Sequence, residues 1–400
     1  MIFRSWKNPI KKGQIYADAA AATPLSPNVR AEMTRLLDVF GNAGGLHAEA
    51  QAAKGVVDDA RERCAKAIGA HADEIIFTAS GTEANNLAIF GALKKLLHKQ
   101  KVHAITTAIE HASVLEPLKA LQSDGLELTI VPVDSEGLID VKNLRESLRA
   151  ETALISVQMI NSEIGTVQLI HEIAKEIRHE RKKRSDLAMP LYFHTDASQA
   201  PLWVDLKVEK LGIDLMTLDA QKMLGPKGAG MLFVKRGTAL TPLIYGGGQE
   251  KSLRSGTENP LAAGALAVAL QEAQQGVEAR ARSVAELRDY CWAQVQSLIP
   301  SIIWNGPKPE HRAPNNLNVS IPNLEAQMAV IALNVEGVAA STRSACDVGS
   351  EEPSEVIKAI GTSKELAGTA VRFTFLPTFT KREAEYIAQA LKRVADRYRN

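Results

Sequence analysis

The sequence predicts an α/β protein: a mainly parallel central sheet with helices on both faces, followed by a smaller α+β unit. Three observations predict it. Short apolar runs alternate with longer helix-like stretches from Glu74 to Val234, the pattern of a parallel sheet covered on both sides. A chain of 400 residues with 45% hydrophobic content can bury a sizeable core and is too long for one small domain. Near residue 260 the character changes to a long helical stretch, after which strands and helices alternate again.

In chain order, "EIIFTAS" (74–80) reads as a strand and "GTEANNLAIFGALKKLLHK" as the helix after it. "VHAITTAI" (102–109), "LELTIVPVD" (126–134), "TALISVQMI" (152–160) and "PLYFHTDA" (190–197) repeat the strand signal. Between the last two, "QLIHEIAKEIRHERKKR" is an amphipathic helix, and its charge run Arg178–Arg184 reads as a solvated C-terminal end, where cations are favoured. Two further buried strands are Leu215–Leu218 and Met231–Val234. The segment from Asn259 to Ile299 is helical with breaks. Beyond it come "NNLNVSI" (315–321), "AQMAVIALNVEGVAAS", "EEPSEVIKAIG", "TAVRFTF" and a C-terminal helix. The expected division is a large domain, 17–260, and a small domain formed by 1–16 and 261–400.

Composition excludes several function classes. A net charge of +1 offers no electrostatic case for nucleic acid or an anionic membrane. No apolar run reaches the length of a membrane span. The start, "MIFRSWKNPIKKGQIY", is basic but has no apolar core or cleavage site of a secretory signal. Cys64, Cys291 and Cys346 make no disulfide framework and fit a reducing compartment. The expectation is a cytoplasmic enzyme without a metal.

The chemistry centres on "DLMTLDAQKMLGPKGAG", where Lys222 stands at the mouth of a buried strand. Lysine is rarely buried without a reason. Asp196 follows a neighbouring strand, and ligands of open α/β sheets bind at the carboxyl ends of strands. A lysine amine and a carboxylate so placed suit pyridoxal phosphate: the amine forms a Schiff base with the aldehyde and the carboxylate pairs with the pyridine nitrogen. A strand-end aspartate also serves as a helix cap. Gly81–Thr82 opens a helix whose free N–H groups favour an anion, and the same residues fit an ordinary N-cap. The segment "YGGGQEKSLRSGTEN" (245–259) reads as an anion-approaching loop or a solvent turn. His111, just after a strand, suits stacking and proton transfer or a capping role. Cys64 and Cys291 sit in helical patterns as buried hydrophobes. Cys346 sits in the polar stretch "STRSACDVGSEEPSEVIKAIG", where an exposed, mobile thiol can reach a site and leave with cargo.

Together these motifs resemble the class V aminotransferase group of fold-type I pyridoxal-phosphate enzymes, and within it the cysteine desulfurases that supply sulfur to iron–sulfur cluster assembly. The matching stretches include "YADAAAATPL", "FTASGTEANNLAIFGAL", "IEHASVLEPL", "INSEIGTVQLIHEI", "FHTDASQAPLWVDL", "QKMLGPKGAG", "GGGQEKSLRSGTEN" and "RSACDVGSEEPSEVIKAIG", in family order from Tyr16 to Arg372. The resemblance implies Lys222 as the Schiff-base lysine, Asp196 as the pyridine partner, and Gln199 as donor to the phenolic oxygen. It implies His111 stacked on the ring, with Gly81, Thr82 and Gln221 around the phosphate and Ser162 near the cofactor. Thr257 would reach a phosphate across a homodimer interface, Arg372 would clamp the substrate carboxylate, and Cys346 would accept sulfur as a persulfide. The implied substrate is L-cysteine, the product L-alanine, and the partner a sulfur acceptor or iron–sulfur scaffold protein. Two other readings stand beside it: a related lyase acting on selenocysteine or by β-elimination of cysteine, and a non-catalytic scaffold paralogue.

The sequence departs from the family at the phosphate. The usual Ser-x-His-Lys is Asp219-Ala220-Gln221-Lys222 here. An ionised carboxylate only accepts hydrogen bonds and beside a phosphate repels it by roughly 2–4 kcal/mol at about 4–8 Å and an effective dielectric near 20. Arg254 is the candidate cation to neutralise Asp219. Ser162 replaces a second asparagine, and Ala43-Gly44-Gly45 replaces Pro-Ser-Ser. The expectation is intact covalent chemistry with weakened cofactor affinity.

Overall fold

The computed structural model describes residues 14–184, 189–342 and 354–398. Its strands in chain order are β1 (Ile15–Tyr16), β2 (Ile75–Thr78), β3 (His103–Thr107), β4 (Glu127–Val131), β5 (Thr152–Ser156) and β6 (Tyr192–Asp196). They continue as β7 (Leu215–Asp219), β8 (Gly230–Val234), β9 (Ile303–Trp304), β10 (Asn316–Ser320), β11 (Val338–Ala339) and β12 (Ala370–Thr374).

The central sheet has seven strands in the order β2-β8-β7-β6-β5-β3-β4. β3 pairs parallel with both β4 and β5, β5 with β6, and β6 with β7. β8 alone runs against its neighbours, β2 and β7. The mainly parallel sheet is therefore mixed at one position. The Lys222–Gly230 turn returns the chain as a hairpin with β7, which parallel strands could not do without a crossover helix. Six strands still point the same way, so their carboxyl ends form one rim. Helices Gly81–Leu97, Ala112–Ser123 and Ile170–Lys183 connect them.

β5, β7 and all but the last residue of β8 are buried throughout, as the near-continuous apolar runs required. One hydrophobic core extends from Phe193 and Met216 of this sheet to Leu317 and Phe373 of the second. That second sheet is antiparallel, β12-β10-β9. Helices Val277–Leu298 and Lys381–Tyr398 pack together beside it. The break expected in the long helical stretch falls at Gly276, whose φ of 64° separates Pro260–Gln274 from Val277–Leu298. β1 pairs with β11, bringing the N-terminal strand to the second half of the chain.

One expectation needs correction. The charge run Arg178–Arg184 is not simply solvated. Arg184 is buried, donating to Glu180 Oε1 at 2.7 Å and to the Thr152 carbonyl at 2.8 Å. Arg181 binds Asp214 and the Leu191 carbonyl. The helix end packs over strand termini whose carbonyls need donors, which a hydropathy pattern does not register. Among the described residues no helix is long and apolar enough to cross a membrane.

Candidate active site

The rim of parallel strand ends carries the chemistry. Lys222 closes a short turn, Ala220–Lys222, that starts where β7 ends. Its Nζ donates to the carbonyls of Ala20 (2.8 Å) and Ala21 (2.7 Å). The stretch 18–26 is stitched to this turn: Thr23 donates through both its N–H and Oγ1 to the Gln221 carbonyl at 2.8 Å, and Leu224 N–H donates to Thr23 Oγ1 at 2.7 Å. Gln199 Nε2 also donates to the Ala20 carbonyl, at 2.9 Å. The alanine-rich N-terminal motif thus positions the amine.

Asp196 ends β6, buried, with every carboxylate contact supplied from the rim. Oδ1 accepts from Ser198 N–H (2.9 Å) and Ser198 Oγ (2.6 Å), and Oδ2 accepts from Asn85 Nδ2 (2.8 Å). Asn85 Nδ2 also donates to Ser113 Oγ at 2.8 Å, and Ser113 Oγ lies 2.7 Å from His111 Nδ1. Ser113 N–H donates to the same Nδ1 at 3.1 Å, so His111 caps the Ala112–Ser123 helix. Accepting there leaves the neutral ring's proton on Nε2. The capping alternative and a position in the cavity are both realised.

Two buried titratable groups support this rim. Glu110 accepts from Thr107 Oγ1 (2.6 Å) and Gln158 N–H (2.9 Å), and burial, aided by Asp196, pushes its carboxyl up to about 8. His194, between Ser156 Oγ at 2.8 Å and Thr217 Oγ1 at 3.1 Å, is held well below its ordinary value by burial, against the pull of Asp196.

Arg372, fully buried on β12, brings the second sheet to the cavity. Nη2 donates to Asp18 Oδ1 at 2.7 Å and Nη1 to the Ser162 carbonyl at 3.1 Å. Its Nε is buried with no hydrogen-bond partner among the described residues. So is Asn85 Oδ1. Such groups call for a bound partner.

The anion end is different. The Gly81–Leu97 helix begins at the rim, capped by Ser80 Oγ on Glu83 N–H. Gly81 N–H, however, donates to Asp219 Oδ2 at 3.1 Å. Gln221 turns onto the same side chain, its N–H on Oδ1 at 3.1 Å and its Nε2 on Oδ2 at 3.2 Å. Arg254, the cation expected for Asp219, instead donates to Glu83 Oε1 at 2.8 Å. Glu83 lies in the first turn of the same helix and competes for it, which spacing could not reveal. The residues present therefore fit the ring and substrate ends of a pyridoxal cofactor, while a carboxylate sits at its phosphate end.

A cavity of about 290 Å³ collects these groups. Lys222, Asp196, Gln199, His111 and Ser162 line it. So do Gly81, Thr82, Gln221 and Arg372. Thr257 does not: within one chain it lines a separate cavity of about 240 Å³ with Arg254 and Glu258. Cys346 lies outside the described residues. Sequence reasoning missed Asn85, Ser113, Ser198, Gln158 and Asp18. Asn85 had a signal, since it stands one helical turn after Gly81 and so shares its face. Asp18 had none: it lies 354 positions from Arg372.

Residues 15–387 match the family described as aminotransferase class-V. A protein of Dictyoglomus turgidum named cysteine desulfurase IscS is 40% identical over 389 residues, covering 97% of this chain and 96% of that protein. A human protein named cysteine desulfurase is 37% identical over 380 residues, covering 94% of this chain and 80% of its own length. Among solved structures, a NifS-like protein superposes with a TM-score of 0.88 at 30% identity, covering 96% of this chain and 99% of that one.

Proposed function

The chain belongs to the class-V aminotransferase family, and from that premise we propose how its cavity works. The protein is a cysteine desulfurase, converting L-cysteine to L-alanine with transfer of the sulfur. The family depends on pyridoxal phosphate, which supplies an aldehyde for an amine and a conjugated ring able to hold an electron pair.

In this reading Lys222 would hold the cofactor's aldehyde, and its Nζ is the base that would move the substrate Cα proton. Asp196, held by Ser198 and Asn85, would pair with the pyridine nitrogen. His111 would stack on the ring, with Gln199 and Ser162 beside it on the cavity wall. Arg372 binds the substrate carboxylate, with Asp18 and the Ser162 carbonyl fixing the guanidinium plane. Cys346 accepts the sulfur: one L-cysteine and one thiol become one L-alanine and one persulfide, with atoms in balance. The last described segment before Cys346 is anchored at the cavity, because Ser341 N–H donates to the Arg372 carbonyl at 3.1 Å. An acceptor protein of iron–sulfur cluster assembly then takes the sulfur. A homodimer, with Thr257 offered to the second subunit's phosphate end, fits the separate position of that residue.

The observation that carries this reading is the convergence of Lys222, the buried Asp196 carboxylate and Arg372 on one cavity. The test is incubation with L-cysteine, added cofactor and a reductant, measuring alanine, sulfide and pyruvate. Alanine and sulfide in equal amounts, lost in Lys222→Ala and Cys346→Ser, support it. Pyruvate with ammonia would make the enzyme a β-eliminating lyase.

A further inference from the structure

We infer that Asp219 is a specificity-determining residue: its carboxylate occupies the anion position at the start of the Gly81–Leu97 helix, so the site discriminates little between pyridoxal phosphate and unphosphorylated pyridoxal. The inference rests on the cavity being a pyridoxal site, as proposed above.

The first argument is the donor inventory. A phosphate at a helix N-terminus is held by free N–H groups and neighbouring donors. Here Gly81 N–H donates to Asp219 Oδ2, and Gln221 turns its backbone N–H and one of its two amide N–H groups onto the same carboxylate. A carboxylate thus already faces the helix start and Ser80 Oγ takes the Glu83 N–H, so an incoming phosphate would be left chiefly with Thr82.

The second argument is that Asp219 is fixed. It is the last residue of β7, 6% exposed, and three hydrogen bonds hold it. A Cβ added at Gly81 would lie 3.1 Å from Asp219 Cβ and 3.2 Å from its Oδ2, so the carboxylate packs directly on the helix start. Its Cα register opposite Gly230 of β8 is set by the sheet. Swinging it out breaks all three bonds and strands a buried acceptor.

The third argument is charge. Arg254 could have neutralised the aspartate but is held by Glu83, whose Oε2 also accepts from Ala79 N–H at 2.9 Å. At the start of this helix Arg254 therefore offsets Glu83 and not Asp219, whose carboxylate is the one a phosphate would meet. The pyridine end is built separately: Asp196 is held by Asn85 and Ser198. Affinity for the aldehyde-bearing ring is retained, while the phosphate contributes little or is repelled.

The experiment uses the full chain stripped of bound aldehyde. It is titrated separately with pyridoxal 5′-phosphate, pyridoxal and inorganic phosphate, and each aldehyde complex is trapped with borohydride and its label located by peptide mass. The expected result is label at Lys222 from both aldehydes, dissociation constants within about ten-fold of each other, and no competition between inorganic phosphate and pyridoxal. Asp219→Ser is expected to tighten pyridoxal phosphate by about 30- to 1,000-fold with pyridoxal unchanged. Asp219→Asn, which keeps the size and one acceptor, shifts the ratio in the same direction at an unchanged thermal midpoint, separating charge from folding. A wild-type preference for the phosphate ester above about 1,000-fold, or a ratio unmoved by both substitutions, overturns the inference while leaving the site reading intact. Absence of label at Lys222 from either aldehyde overturns both.

Discussion

Arg372 of β12 and Asp18, two residues past β1, form an ion pair, Nη2 to Oδ1 at 2.7 Å, with the arginine fully buried and the aspartate mostly so. With Nη1 on the Ser162 carbonyl, the pair leaves Nε buried without a partner among the described residues, and in the proposed reading Arg372 binds the substrate carboxylate. Arg372→Lys keeps the charge and loses the fork. We expect KM for L-cysteine to rise about 10- to 150-fold, the equivalent of one charge-assisted hydrogen bond, with kcat less affected. Asp18→Asn should give a smaller rise, because it loosens the plane without removing the donor. Steady-state kinetics check both.

Asn85 ties Asp196 to Ser113 and through it to His111. Asn85→Ala removes two buried hydrogen bonds and leaves Asp196 Oδ2 short of a donor. A loss of about 1–3 kcal/mol in unfolding free energy is expected, with weaker retention of the bound aldehyde. Urea unfolding and the visible band of the lysine-bound cofactor read the two effects separately.

Glu110 should make stability fall with rising pH. Its carboxyl is raised from 4.5 to about 8 in the folded protein, because burial disfavours the charge. Between those values the unfolded chain has lost the proton and the folded chain keeps it. The folded state therefore binds more protons, and stability drops as pH rises through that window. In Glu110→Gln this contribution vanishes. The difference in urea midpoint between variant and wild type, followed from pH 5 to 8, should move steadily in favour of the variant. A constant difference would show that Glu110 ionises normally.

Gly165 turns the chain beneath Ser162 with φ of 76°, and an added Cβ would fall 2.6 Å from Asn316 Cβ and Cγ. Gly165→Ala combines a left-handed backbone with a clash against the second sheet. We expect a loss of about 3 kcal/mol or more by chemical denaturation. A near-neutral result would mean that the turn relaxes, in which case the Ser162 carbonyl should shift and the KM for L-cysteine should rise with it.

Residue pattern alone was enough for the strands from β2 to β8, though it missed the helices Pro27–Leu36 and Ala48–Ile68, and it placed Lys222, Asp196, His111 and Gly81 at strand ends. Each is announced locally, by an apolar run that stops at a polar or glycine residue, and a parallel sheet gathers such ends on one rim whatever its strand order. Tertiary structure decided how those groups are wired. Asp219 turned onto Gly81 138 positions away, Arg254 onto Glu83, Asn85 onto Asp196 and Asp18 onto Arg372. Hydrogen bonds are short and directional, so their pairing depends on sheet order, register and the reversal of β8, none of which is written in the spacing of residues along the chain.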